Sequence, residues 1–363
     1  MTKTIIITTG GSGGHMVPAE SIARGLIKRG FQIVFVTDKR GKSFKNLKKV
    51  PTIQLSASSI TGKNIFMKIL GALSLLLGGV QAFFHLRKIK PVLVVGVGGY
   101  ASIPMVMAAH MTRTPVVLNE QNAVLGRSNR VLAKNSLFIA TTFPKTQQVP
   151  KNVPTLHTGL PVRDEILENA NTPYPSAQKK LDILVFAGSQ GSRFFTHKLA
   201  PVLCGLPEEL KKKIVLHVQA RPEDITLAHQ FYDKAGFKKV EIQSFFTNIP
   251  TLLTKCHLLI GRAGASTLIE AGIIGRPVLT IPLPTAADNH QLENARLFCQ
   301  NKAGWIWEEK DYDLPTWTKN LETLLNNPKA LEKASKQALL NANLDAGDKI
   351  ATFITDVLKG KNK

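Results

Sequence analysis

Short apolar runs alternate with glycine-rich turns and helix-period segments along this chain. That alternation predicts parallel strands joined by crossover helices. The first run, Ile5-Ile6-Ile7, leads into Gly10-Gly11-Ser12-Gly13-Gly14, and Pro18 is expected to open the helix that follows. Residues 31–36 and 92–95 are further runs, the latter followed by glycines and an apolar helix reaching Met107. Residues 116–118 run into Asn119-Glu120-Gln121-Asn122. After a loop-forming stretch, residues 169–175, the pattern restarts: residues 183–186 lead to Gly188-Ser189-Gln190-Gly191-Ser192. Later strands are expected at 215–218, 258–260 and 278–281, and the tail from Asp313 reads as helical.

A chain of 363 residues exceeds what one hydrophobic core supports. The fold class expected is α/β: two consecutive Rossmann-like parallel-sheet domains facing a central cleft. Residues 1–163 form the first domain and 164–363 the second, with the last helix packing back on the first.

Residues 69–84 are apolar, with Lys63 and Lys68 before them and Arg87, Lys88 and Lys90 after. The run is shorter than the roughly 20 residues a spanning helix needs and contains glycines and Gln81. Two readings stay open: a buried domain helix, or a surface helix that docks on an anionic membrane.

Charge sharpens the choice of partners. Lys and Arg number 47 against 25 Asp and Glu, a formal net charge of +22, which calls for something acidic: nucleic acid, anionic lipid or phosphorylated substrates. The basic residues are spread through 39–49, 211–213 and the tail without a nucleic-acid-binding motif, so nucleic acid is not the expected partner. Cys204, Cys256 and Cys299 show no metal or disulfide rhythm. With a β-branched strand at the very start and no export signal, the expected place is the cytosol.

Candidate chemistry sits in the turns. Glycine loops between strand and helix let backbone N–H groups approach an anion, and His15 stands at the end of the first loop. Gly98-Gly99-Tyr100 is a second such loop, suited to a phosphorylated group on an acceptor. Glu120 to Asn122 fall at a strand's carboxyl end, where open α/β sheets bind ligands. In the second half, Arg262-Ala263-Gly264-Ala265-Ser266-Thr267-Leu268-Ile269-Glu270 combines small residues at a helix start with a carboxylate for ribose hydroxyls. Asp288 and Gln291 are read as one helical turn apart, on one face toward a sugar.

These segments, together with Thr158-Gly159-Leu160-Pro161-Val162-Arg163, stand in an order that resembles the MurG family of N-acetylglucosaminyltransferases. The resemblance covers nearly the whole chain to about Asn294 and implies a GT-B fold. It implies transfer of N-acetylglucosamine (GlcNAc) from UDP-GlcNAc to the C4 hydroxyl of undecaprenyl-pyrophosphoryl-N-acetylmuramyl-pentapeptide (lipid I). The product would be lipid II of peptidoglycan, formed with inversion at the cytoplasmic face of the plasma membrane, beside other cell-wall synthesis partners. By the same resemblance Ser12, Gly13 and Gly14 line the reaction centre. His15 is the leading candidate for the base, with Glu120 second. Arg163 and Ser189 contact the diphosphate, Thr247 lies in the uracil-contacting segment, and residues Ala265 to Glu270 grip phosphate and ribose. Gln291 and Asn122 read sugar hydroxyls, and Gly98, Gly99 and Tyr100 receive the acceptor. Ser12 stands where the family usually has threonine, and Asn119 where it usually has histidine. No cofactor is expected. Metal-independent chemistry is expected too, because no Asp-x-Asp is read as placed to hold a metal against the diphosphate. The competing readings are a UDP-GlcNAc 2-epimerase, which needs no acceptor, and a related glycolipid glycosyltransferase.

Overall fold

The structure is a computed structural model that describes residues 3–360 except 12, 40, 42–46, 48, 58–64, 178 and 189–190. The chain forms two compact units, Met1–Arg163 with Asp345–Lys363, and Asp164–Leu344.

The described residues of the first unit build a seven-stranded parallel sheet. Its strands are β1 (Thr4–Thr8), β2 (Gln32–Thr37), β3 (Thr52–Gln54), β4 (Leu93–Gly96), β5 (Val116–Glu120), β6 (Phe138–Thr141) and β7 (Thr155–His157), in the order β3-β2-β1-β4-β5-β6-β7. Its crossovers include helices α1 (Gly13–Ile27), α2 (Ile65–Ile89), α3 (Ser102–Met111) and α4 (Arg127–Leu132). Ile5, Ile6 and Ile7 are all fully buried because both faces of the sheet are covered. Ile5 and Ile7 pack with Ala19, Ile22 and Leu26 of α1, while Ile6 packs with Ala82, Leu86, Met105 and Val106 on the opposite face.

The second unit repeats the plan with β8 (Leu181–Phe186), β9 (Ile214–Gln219), β10 (Lys239–Gln243), β11 (Leu258–Gly261), β12 (Val278–Thr280) and β13 (Gly304–Ile306). These strands are parallel in the order β10-β9-β8-β11-β12-β13. The helices are α5 (Asp164–Leu167), α6 (Ala200–Cys204), α7 (Glu208–Lys211), α8 (Ile225–Tyr232), α9 (Ile249–Lys255), α10 (Ala265–Ile274), α11 (His290–Cys299), α12 (Leu314–Leu325) and α13 (Pro328–Leu339). The chain then returns to the first unit as α14 (Ala346–Leu358), whose Ile350, Ala351 and Ile354 join the α1 side of that core. Arg29 of the first unit grips Asp348 at 2.8 Å.

In each sheet the first strand lies between two strands that the chain lays down in opposite directions, β2 and β4 around β1, β9 and β11 around β8. Ligands of open α/β sheets bind beyond the carboxyl ends at such a switch point. The loops placed there are the glycine loops of the sequence.

Two expectations change. The first helix begins at Gly13, so Pro18 lies inside it rather than opening it. Pro18 lacks the N–H that would reach back to the Gly14 carbonyl. The early start puts His15 in the first turn. The apolar run at 69–84 belongs to a longer helix whose residues Ile69–Ile89 are long and apolar enough, by length and composition, to cross a membrane. It is not a buried helix either: Gly78, Ala82 and Leu86 are buried, whereas Leu73, Leu76, Leu77 and Phe84 are more than half exposed.

Candidate active site

In the first unit, the loops after β1 and β4 zip together past the strand ends. Val97 N–H donates to the Thr8 carbonyl at 2.9 Å, and Gly10 N–H to the Gly98 carbonyl at 3.0 Å. The His15 ring lies directly against this junction. A methyl group on Gly98 would sit 3.2 Å from His15 Cε1, and one on Gly99 would sit 3.0 Å from Gly10 Cα. Both glycines have left-handed backbones, with φ of 96° and 82°, which side chains rarely adopt. The base candidate and the acceptor-loop candidates Gly98 and Gly99 are thus one packed unit. Tyr100 follows them, half-buried, at the entrance to α3. Gly14 is exposed in the first turn of α1, next to His15. Ser12 and Ser189 lie outside the described residues.

Glu120, the second candidate for a base, is engaged differently. Its carboxylate accepts from Asn122 N–H at 2.9 Å and Asn122 Nδ2 at 3.2 Å on one oxygen. The other oxygen accepts from Gly126 N–H at 2.8 Å and Asn129 Nδ2 at 2.9 Å. The side chain is buried and its lone pairs hold the loop that carries Asn122. Gln121 ties the same loop to the β4 loop through the Val97 carbonyl at 3.3 Å. Sequence reasoning missed Gly126 and Asn129, whose distance from Glu120 along the chain gives no periodic signal. Arg163, half-exposed, closes the first unit.

In the second unit the loop after β8 turns on Gly188 and Gly191, with φ of 85° and 65°. Neighbouring β11 ends at Gly261, and α10 begins at Ala265 with no side chain capping its N-terminus. The N–H groups of that first turn carry the positive end of the helix. Ser266 and Thr267 are half-exposed there, while Leu268 and Ile269 are buried in the core and offer a ligand only backbone. Glu270 is buried one turn further along. Gln291, in the first turn of α11, accepts from Leu283 N–H through Oε1 at 3.0 Å, which turns its Nε2 donors elsewhere. Thr247 is exposed in the loop before α9.

Asp288 and Gln291 do not share a helical face. Asp288 and Asn289 both have left-handed backbones, φ 52° and 55°, and α11 begins only at His290. Two consecutive residues in that region make a strained turn of the kind found at ligand sites. The chain does contain an Asp-x-Asp, Asp311-Tyr312-Asp313. Asp313, however, caps α12 by accepting from Thr316 N–H at 3.0 Å, and hydrogen bonding from the Thr316 side chain and then from its N–H holds the carboxyl's pKa below the ordinary value. Among the described residues no group of three His, Cys, Asp or Glu side chains could hold a metal ion.

Two parallel α/β units, each with glycine loops at its switch point, define the GT-B class of nucleotide-sugar enzymes. Residues 5–140 match the glycosyltransferase family 28 N-terminal domain and residues 182–350 its C-terminal domain. The chain is 37% identical over 363 residues to the UDP-N-acetylglucosamine–N-acetylmuramyl-(pentapeptide) pyrophosphoryl-undecaprenol N-acetylglucosamine transferase of Paramagnetospirillum magneticum. That match covers 99% of this chain and 98% of the relative. The same enzyme of Rhodospirillum centenum is 38% identical, with 96% and 93% covered. This chain therefore belongs to glycosyltransferase family 28 and, within it, to the MurG family. The crystal structure of Acinetobacter baumannii MurG superposes with a TM-score of 0.77 at 24% identity, covering 98% of this chain and 100% of that one. A UDP-N-acetylglucosamine 2-epimerase also shares the fold, with a TM-score of 0.69 at 12% identity and 100% and 98% covered.

Proposed function

We propose that this chain transfers GlcNAc from UDP-GlcNAc to the C4 hydroxyl of lipid I, forming the β-1,4 bond of lipid II. The observation that carries this reading is the end-to-end match to curated enzymes of that name. The second unit takes the donor. UDP leaves with the electron pair of the anomeric C–O bond, and the uncapped first turn of α10, with Arg163 and Ser189, offsets the developing charge on the diphosphate. Glu270 accepts from the ribose hydroxyls, Thr247 lies by the uracil, and Gln291 and Asn122 read the sugar. The first unit takes the acceptor at Gly98, Gly99 and Tyr100, beside Gly13 and Gly14. His15 accepts the C4 hydroxyl proton as the hydroxyl attacks in line. Glu120 acts as a positioning residue for the Asn122 loop, since its carboxylate already holds four donors.

The enzyme works at an anionic membrane surface, where its lipid acceptor resides. The supporting feature is an apolar groove of about 580 Å³ between α2 and α3, lined by Leu75, Leu76, Val80, Phe83, Met107 and Met111. Exposed Arg87, Lys88, Lys90 and Arg113 stand at the ends of these helices.

The test is radiolabelled transfer from UDP-GlcNAc to a short-chain lipid I analogue in EDTA, with hydrolysis and epimerisation followed in parallel. A β-1,4 disaccharide product is expected. An accumulating epimer without acceptor would move the chain to the isomerase reading, and a requirement for added divalent metal would overturn metal independence.

A further inference from the structure

Arg262 lies just past the end of β11, and its guanidinium is almost wholly buried. One nitrogen donates to the carbonyls of Ile281 at 3.0 Å and Pro282 at 3.3 Å, beyond β12. The other donates to Ser192 Oγ at 2.7 Å, in the glycine loop beyond β8. Glu309, beyond β13, pairs with it at 2.5 Å. The strands β8, β11, β12 and β13 are consecutive neighbours in the sheet, so one cation joins the carboxyl-end loops of all four. The guanidinium also stands over the rings of Phe194 and Phe195, 5.6 and 5.1 Å from their centres.

Two backbone carbonyls, a hydroxyl and a carboxylate of the loops around it engage the guanidinium and turn it inward. Burial pushes the Arg262 guanidinium below its ordinary value, and Glu309 opposes that shift by pairing with it. Without Glu309 a desolvated cation would keep only neutral partners and would draw in water, loosening the Ser192 contact.

We propose that Arg262 and Glu309 are positioning residues for the donor site: the pair holds Ser192, beyond β8, at the distance from the first turn of α10 that a nucleoside diphosphate requires. The proposal rests on the reading of the second unit as the donor site. It assigns a role in the reaction to Glu309, a residue outside every sequence motif of the site.

The test uses the full chain and UDP as probe. All three tryptophans, Trp305, Trp307 and Trp317, lie in the second unit, and Phe194 packs 5.9 Å from Trp317, so tryptophan fluorescence reports on the loop. Glu309→Gln keeps the shape and removes the charge. Its UDP dissociation constant and its KM for UDP-GlcNAc are expected to rise together by about fivefold to twentyfold, with the acceptor KM unchanged. Glu309→Asp is expected to recover part of the loss. Ser192→Ala, which removes the far end of the same chain of contacts, is expected to weaken UDP binding in the same direction and to add little to Glu309→Gln. Unchanged UDP affinity in folded Glu309→Gln would overturn the proposal, as would a fall in kcat with both KM values unchanged. If the wild-type chain bound no UDP, the donor reading itself would fail and take the proposal with it.

Discussion

Asn129 donates its side-chain amide to Glu120 Oε2 at 2.9 Å, inside the first unit and away from solvent. The bond decides between two roles for Glu120. A base must exchange its proton with the substrate, whereas a holding group must keep its acceptors filled. If Glu120 holds the loop, Glu120→Gln and Asn129→Ala damage the same thing. Each single change is expected to lower kcat by about tenfold, and the double variant by little more than either. The double-mutant cycle in kcat checks this. A base role predicts instead that Glu120→Gln nearly abolishes turnover while Asn129→Ala spares it.

Gly98 sets the position of His15. Alanine there must hold φ near 96° and place its methyl 3.2 Å from the ring, so either the loop or the imidazole moves. Gly98→Ala is expected to reduce kcat at least tenfold, while UDP affinity, whose proposed contacts do not include Gly98, stays the same. His15→Ala is expected to cost about 100- to 10,000-fold in turnover, again with UDP affinity retained. Single-turnover kinetics beside equilibrium UDP binding separates the two quantities; full turnover in His15→Ala would remove it from the chemistry.

How legible these features are in the sequence follows from their physics. Strands buried on both faces, such as β1 and β4, announce themselves as unbroken apolar runs, and the glycines that follow mark the turns at the switch points. The short outer strands β3, β7 and β10 do not, because their partly exposed residues mix polar and apolar types, and β13 is only the three residues Gly-Trp-Ile, too short to show a pattern. The site motifs were readable as places but not as contacts. That His15 rests on Gly98 depends on packing across dozens of residues, and that Glu120 serves its own loop depends on how an irregular turn folds back on it. Arg262 stood in plain view inside a motif. Its link to Glu309 crosses two strands and has no trace in local spacing. Asp288 misled for a simpler reason: helical spacing does not apply to residues that precede the helix in a left-handed turn.

The cysteines give a pH test. Burial raises the thiols of Cys204 to about 11 and of Cys256 and Cys299 to about 12, from an ordinary value of 9.0. At pH 8 the native chain therefore carries about one thiolate per thousand molecules at Cys204 and fewer at the others. A disulfide reagent at pH 8 is expected to react slowly with native protein and quickly with three thiols in guanidinium. The same shifts bear on stability. Unfolded thiols release protons above about pH 9 while folded ones keep theirs, so this contribution is complete below that value and is lost as pH rises toward 11 to 12. Urea midpoints measured between pH 8 and 10.5 are expected to fall, and the three-serine variant is expected to fall less steeply.

The exposed face of α2 is tested by its affinity for lipid. Leu76 is 68% exposed and Phe84 is 65% exposed, and both line the groove against α3. Neither is needed for packing within the first unit, so replacing them with serine should leave the fold intact. Two forces would act in the proposed membrane contact: burial of apolar side chains in the acyl boundary, and attraction of Arg87, Lys88 and Lys90 to anionic headgroups at about 1 kcal/mol each. They respond to different variables. Leu76→Ser with Phe84→Ser is expected to weaken sedimentation with phosphatidylglycerol vesicles at any salt concentration. Replacing the three basic residues by glutamine is expected to weaken it at low salt and to leave little difference at 0.5 M, where the Debye length is roughly 4 Å. Turnover of a water-soluble acceptor analogue should be unchanged in both variants, while turnover of a long-chain acceptor in vesicles falls. Undiminished vesicle binding in the double serine variant would move the membrane contact to another face of the molecule.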